Sequence, residues 1–304
     1  MKFDILTYNN GVGIVTDAFI LKKIIAKNIS LNVDVKFINE SIIKNSDVGI
    51  WIQNFDINLL NRFKKNIFYI NEEWSGNHEL QNLNLFEYVI CKSNYSKQIL
   101  SNYTRNNNLI HIPFVSRNFF DNKIKKNKKF LHFAGRSIQK NTELILKQKD
   151  EITLIDPYNR YKPNLNISHI NTYQTEDQIS LILNSHNIHV CCSLYESWGH
   201  YLFEGLSTGS EIICSDIPVF REQLDPQLIH FISSNENIDN NYQYCNENIN
   251  KLYPIRKAFF VEEYKFKNLI EDFKPIGKND ERIKLYKYIM KNNEQKIVNF
   301  LKNI

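Results

Sequence analysis

Two short stretches place ionisable side chains where a strand hands over to a helix. The first is Gly135-Arg136-Ser137-Ile138-Gln139-Lys140. An arginine offers a planar fork to two phosphate oxygens and a lysine a compact point charge, so the pair suits a pyrophosphate. The second runs Glu196-Ser197-Trp198-Gly199-His200-Tyr201-Leu202-Phe203-Glu204. Gly199 removes a side chain where a helix begins, and open backbone N–H groups at a helix N-terminus favour phosphate. His200 stands at that same start. Glu204, about one turn inside, can accept two hydroxyl hydrogen bonds from a ribose. Two further stretches speak more softly. Asn10-Gly11-Val12-Gly13 is a glycine turn after the opening strand. Asn71-Glu72-Glu73-Trp74 follows another strand, where Glu73 and Trp74 could line a second ligand.

The elements that must position these residues alternate between strand and helix. In the first half, strands are expected at Phe3–Tyr8, Val33–Ile38, Val48–Ile52, Ile67–Ile70, Tyr88–Cys91 and Leu109–Ile112. Helices are expected at Thr16–Asn28, from the spacing of Ala18, Ile20, Leu21, Ile24 and Ile25, and at Ser93–Tyr103, with its serine cap. The pattern then begins again. Lys129–Ala134 reads as a strand, Gly135-Arg136 as a turn and Asn141–Gln148 as a helix. Glu151–Ile155, Ile188–Cys192 and Ile212–Cys214 read as strands, Thr175–Asn184 and His200–Thr208 as helices. Pro113–Lys129 reads as the linker between the halves. Asp280–Ile304 reads as a long helix with Ile283, Tyr286, Ile289, Met290, Ile297 and Leu301 on its apolar side. The fold class is α/β, with two parallel-sheet units facing across a cleft and ligands beyond the carboxyl ends of the strands.

Composition narrows the function. In 304 residues, 42% are hydrophobic and 23% charged, the balance of a folded globular chain. No apolar run reaches the length of a membrane span, and the N-terminus lacks the pattern of a signal peptide. A cytoplasmic protein with at most peripheral membrane contact is expected. Net charge is +5 and the basic residues are spread out, apart from a run over Lys123–Lys129 that reads as a solvated linker. Nucleic acid binding calls for a concentrated basic patch with interleaved aromatics, and none is expected here. The five cysteines include no CxxC pair, and the histidines have no metal-ligand spacing. No metal site is expected.

The stretch from Ile188 to Glu222 resembles the donor-binding signature of the GT-B glycosyltransferases, the large retaining family four in particular. Glu196 and Glu204 meet its E-x7-E pattern, with Gly199, Gly205 and Gly209 in their usual places and Ser215-Asp216-Ile217-Pro218 and Glu222 following. Gly135-Arg136 with Lys140 is similar to the family's diphosphate-binding turn. Here three residues separate Arg136 from Lys140, where the family more often has four or five.

The resemblance implies two Rossmann-like doubly wound domains. An acceptor-side domain would span 1–122 and a donor domain 123–279, with the helix 280–304 packing back on the first. It implies transfer of a sugar from a nucleotide-diphosphate sugar, such as a UDP- or GDP-sugar, with retention and without metal or cofactor. Arg136 and Lys140 would hold the diphosphate, Glu196 the sugar hydroxyls and Glu204 the ribose. Gly135, Ser197, Trp198, Gly199, His200 and Tyr201 would complete the donor contacts. Gly11, Val12 and Gly13, with Glu73 and Trp74, would reach the phosphates or the acceptor. A glycan, glycoprotein, lipid or small molecule could be that acceptor. A nucleotide-sugar epimerase or hydrolase, or a non-catalytic sugar-nucleotide-binding protein, could use the same residues.

Overall fold

The computed structural model describes residues 1–9, 13–40, 42–104, 108–135, 138–148, 151–237 and 257–304. The chain forms two compact units. One joins Met1–Val115 with Met290–Ile304; the other joins Ser116–Asn240 with Lys257–Ile289.

The first unit holds β1 (Phe3–Thr7), α1 (Gly13–Asn28), β2 (Val33–Phe37), β3 (Ser46–Ile52), β4 (Phe63–Ile70), α2 (Asn77–Gln81), β5 (Tyr88–Cys91), α3 (Asn94–Leu100) and β6 (Leu109–His111). Its sheet runs β2-β1-β3-β4-β5-β6 with every pair parallel. Strands β3, β4 and β5 end in buried runs over 48–52, 67–70 and 89–91, apolar apart from Gly49, as a strand covered on both faces demands. One cluster joins Leu6, Trp51, Phe55, Phe68, Phe86 and Val89. Trp51 satisfies its buried indole by donating to Asn66 Oδ1 at 2.9 Å. Ser93 caps α3 by accepting from Ser96 N.

The second unit opens with β7 (Lys128–Phe133), α4 (Thr142–Leu146), β8 (Ile152–Ile155), β9 (Ile167–Ile170), α5 (Glu176–Ser185) and β10 (His186–Cys191). It continues with α6 (His200–Ser207), β11 (Glu211–Ser215), α7 (Pro218–Arg221) and β12 (His230–Ile232). An antiparallel pair of β13 (Ser234–Asn237) and β14 (Ala258–Val261), with α8 (Glu263–Glu271) and α9 (Asn279–Lys302), completes the described elements. The order is β12-β11-β10-β7-β8-β9, again all parallel. Thr175 and Gln178 form a capping box at the start of α5. Among the described residues no helix is long and apolar enough to cross a membrane.

Three features stand beside what was expected. The border between the units falls at 115/116 rather than 122/123. Ser116–Asp121 is fastened to the second unit, with Phe119 N donating to Ser207 Oγ at 3.0 Å and Asp121 N to Asn184 Oδ1 at 3.1 Å. The basic run is not wholly solvated. Lys126 Nζ donates to Ser210 Oγ at 2.5 Å and to the His186 carbonyl at 3.3 Å, and burial pulls its pKa down to about 8. Of the final helix, the residues up to Ile289 group with the second unit and those from Met290 with the first. The anticipated apolar side of α9 is buried from Ile283 to Leu301. Strands β9, β12, β13 and β14 and helix α8 lie in segments where no periodic run announced them.

Candidate functional site

In the second sheet β7 lies between β10 and β8. The chain builds outward from β7 through β8 and β9, then returns to the opposite side of β7 for β10, β11 and β12. That reversal makes the carboxyl ends of β7 and β10 a topological switch point, where open α/β sheets hold their ligands. The loops leaving these two strands carry both of the charged stretches.

The loops are stitched together. Leu194 N donates to the Gln139 carbonyl at 2.7 Å, and Gln139 Nε2 to the Tyr195 carbonyl at 3.3 Å. Lys140 Nζ reaches Glu196 Oε1 at 2.5 Å, and Ser193 Oγ donates to the same oxygen at 2.8 Å. Glu196 is 8% exposed, so its charge is held by two specific donors and little water. Gly135 adopts φ +60°, a left-handed turn that a side chain disfavours. Beneath the loops, His132 Nδ1 donates to the Val190 carbonyl at 3.0 Å, which leaves Nε2 to accept from Thr142 Oγ1 at 3.0 Å. Burial drives its pKa down to about 4, so the ring is a neutral strut.

Helix α6 begins directly after Gly199, whose φ is +89°. A Cβ there would fall 2.6 Å from Phe220 Cε1, so both conformation and space require glycine. The helix start has no side-chain cap and no acidic residue in its first turn. Its partial positive charge is therefore not offset by the helix's own side chains. One turn further, Glu204 is 6% exposed and accepts from Arg117 Nε at 2.8 Å through Oε1. Gly205 lets the helix approach β10, since a Cβ would lie 2.7 Å from His189 Nδ1.

Several expected ligand contacts turn out to pack inward. Trp198 is 2% exposed, stacks on Phe203 at 4.3 Å and donates to Ser116 Oγ at 2.8 Å. One face of its ring is taken up by Phe203. Tyr201 donates to the Leu131 carbonyl at 2.8 Å and packs on Phe133, and burial pushes its phenol pKa far up. Ser197 is also buried. His200 Nδ1 lies 2.9 Å from Ser116 Oγ, at the first position of α6.

The other expected residues belong to the first unit. Gly13 is the first residue of α1, with open space where a Cβ would be. Glu73 and Trp74 lie in a single 3-10 turn, Glu72–Trp74, directly after β4; Glu73 is buried and Trp74 partly so. The turn is fixed from behind by Gln53 Oε1, which accepts from Asn71 N at 2.6 Å. Gly11, Val12 and Arg136 lie outside the described residues.

Sequence reasoning missed Ser193 and Arg117, the partners of the two glutamates. It also missed a buried ion pair in the first unit, Lys92 Nζ to Asp17 Oδ2 at 2.5 Å. Arg117 stands 87 residues from Glu204, in a segment without periodicity, so no local signal joins them. Among the described residues, no group of three or more His, Cys, Asp or Glu side chains converges on a common point.

No family model matches the sequence, and no curated protein matches it. Solved structures do resemble the chain in fold. Sucrose-phosphate synthase from Thermosynechococcus elongatus superposes with a TM-score of 0.67 at 10% identity, covering 100% of this chain and 98% of that one. Anabaena HepE in complex with UDP-glucose gives 0.65 at 12% identity, with 100% of both chains covered. The pneumococcal O-GlcNAc transferase GtfA, in complex with UDP and GlcNAc, gives 0.60 at 12% identity over 95% of this chain. The chain spans 59% of that GtfA and 54% of TarM. At these identities the likeness establishes the fold, two Rossmann-like units of the GT-B class.

Proposed function

We propose that the chain is a glycosyltransferase that moves a sugar from a nucleotide-diphosphate sugar to a hydroxylated acceptor, with retention of anomeric configuration and without a metal. The observation that carries this reading is the meeting of Lys140 and Glu196 at the switch point, with the uncapped start of α6 and Glu204 following in one run of chain. HepE and GtfA, which share the fold, were crystallised with UDP-glucose and with UDP and GlcNAc. The fold and the residues together favour a nucleotide-sugar donor.

In this mechanism the diphosphate lies against the first amides of α6, with Lys140 and Arg136 assigned to its oxygens. Negative charge builds on the leaving oxygen as the anomeric C–O bond breaks, and pre-aimed cations and amides stabilise it there without reorganising. Lys140 exchanges Glu196 for phosphate, and the released Glu196 oxygen accepts from sugar hydroxyls. Glu204 holds the ribose. The acceptor oxygen forms the new bond to the anomeric carbon on the face the phosphate leaves, and its proton passes to the departing phosphate. The products are the glycosylated acceptor and a nucleoside diphosphate. Trp198 and Tyr201 keep α6 in place rather than touching the donor. Gly13, Glu73 and Trp74 are assigned to the acceptor side. The reading places the reaction in the cytoplasm.

The test is a panel of UDP-, GDP- and ADP-sugars assayed for release of nucleoside diphosphate, with and without candidate acceptors. Acceptor-dependent release supports the reading. Release without acceptor identifies a hydrolase. Absence of both binding and turnover across the panel removes the donor assignment.

A further inference from the structure

The segment after Val115 runs along α6 as a strap. Ser116 Oγ contacts Trp198 Nε1 and His200 Nδ1 before and at the helix start. Arg117 Nε reaches Glu204 one turn further, and Phe119 N reaches Ser207 Oγ near its end. Tyr286 of α9 donates to the Ser116 carbonyl at 2.8 Å and holds the strap from behind. Arg117 is itself well placed. Its guanidinium lies 4.8 Å from the centroid of the Phe119 ring and 3.8 Å from Glu176 Oε1.

Arg117 is the only partner of the Glu204 carboxylate among the described residues, and it takes one oxygen, Oε1. A glutamate has three rotatable bonds, and a nearly buried carboxylate without a partner turns toward water. One charge-assisted N–H···O bond removes that freedom and leaves Oε2 as the remaining acceptor.

We propose that Arg117 is a positioning residue for donor recognition: its Nε–H fixes Oε1 of Glu204, so that Oε2 meets the ribose hydroxyls of the donor nucleotide. This rests on the donor site proposed above. The strap thus does more than join two units. It sets the geometry of the ribose contact from a position that need not touch the donor.

Calorimetric titration of the full chain with UDP and GDP, each beside its 2′,3′-dideoxy form, tests this. Wild type should bind at least one ribonucleotide more tightly than its dideoxy form; binding of neither nucleotide ends the donor reading and this inference with it. Arg117→Gln should lose about tenfold in affinity for the ribonucleotide, as for loss of one charge-assisted bond, while its dideoxy affinity stays within about twofold. Arg117→Lys keeps the cation without the fixed Nε–H, and should give an intermediate loss confined to the ribonucleotide. That second variant decides the matter if Arg117→Gln does not fold. Equal losses for both nucleotide forms make Arg117 a structural residue only and overturn the proposal. So does unchanged ribonucleotide affinity in a folded variant, with the donor reading left intact.

Discussion

Lys140 and Glu196 come from loops on opposite sides of the switch point, 56 residues apart, and their side chains close to 2.5 Å. The pair joins the ends of β7 and β10 without backbone continuity. Under the proposed function the lysine serves two anions, the glutamate it holds and the diphosphate assigned to it. Lys140→Met should lower kcat/KM for the donor by roughly 10²–10³-fold, about 3–4 kcal/mol, through loss of charge stabilisation at the leaving group. Steady-state kinetics on the folded variant check this. A value within threefold of wild type removes Lys140 from the diphosphate.

The proposed function assigns Arg136 to the same diphosphate. With cationic side chains and a helix start facing the leaving charge, turnover should persist in excess EDTA. Complete loss on chelation, restored by manganese or magnesium, contradicts that assignment.

Gly199 makes a stability prediction that is independent of the chemistry. Its φ of +89° and the 2.6 Å approach of Phe220 to a virtual Cβ both oppose a side chain. Gly199→Ala should lower unfolding free energy by about 1–3 kcal/mol in urea titration. Gly13→Ala is the control, because nothing lies within 4 Å of its virtual Cβ, and it should shift stability by no more than about 0.5 kcal/mol. Equal effects at the two sites contradict the steric account.

The second sheet carries buried histidines whose pH response has a defined sign. Burial lowers His132 and His186 to about 4, and lowers His189 as well. As pH falls below about 6.5 the unfolded chain takes up protons that the folded rings refuse, so stability is full at pH 7 and falls toward pH 4. At pH 5 the loss is about 2 kcal/mol for each of His132 and His186. Urea titrations at pH 7 and pH 5 measure it, and a stability unchanged between them refutes the account.

The parts of the site that were legible in the sequence are local. Gly135 with Lys140, and Glu196 with Gly199 and Glu204, announce themselves because strand, turn and helix follow within a few residues and each constrains the next. The pairings across loops were not legible. Nothing in Pro113–Lys129 marks Arg117 as the partner of Glu204, because a hydrogen bond between distant segments leaves no periodicity behind. The packing partners of Trp198 and Tyr201 were hidden for a related reason. A large aromatic beside a glycine-rich turn reads the same whether its ring faces a ligand or, as here, Phe203 and Phe133. Among the elements, Ile167–Ile170 was missed because a four-residue alternating strand in an asparagine-rich stretch is too short to stand out.

The division of α9 between the two units has a bearing on how the chain is made. Ile297 and Leu301, both buried, belong to the same unit as β1–β6, yet they are translated after the whole of the second unit. Residues 1–115 therefore leave the ribosome without the last side chains of their own core. The nascent first unit waits with an apolar surface uncovered while the second sheet is synthesised, an interval in which holdase chaperones have a natural client. A stop codon placed before Met290 would leave that surface permanently bare, and such a product is expected in the insoluble fraction.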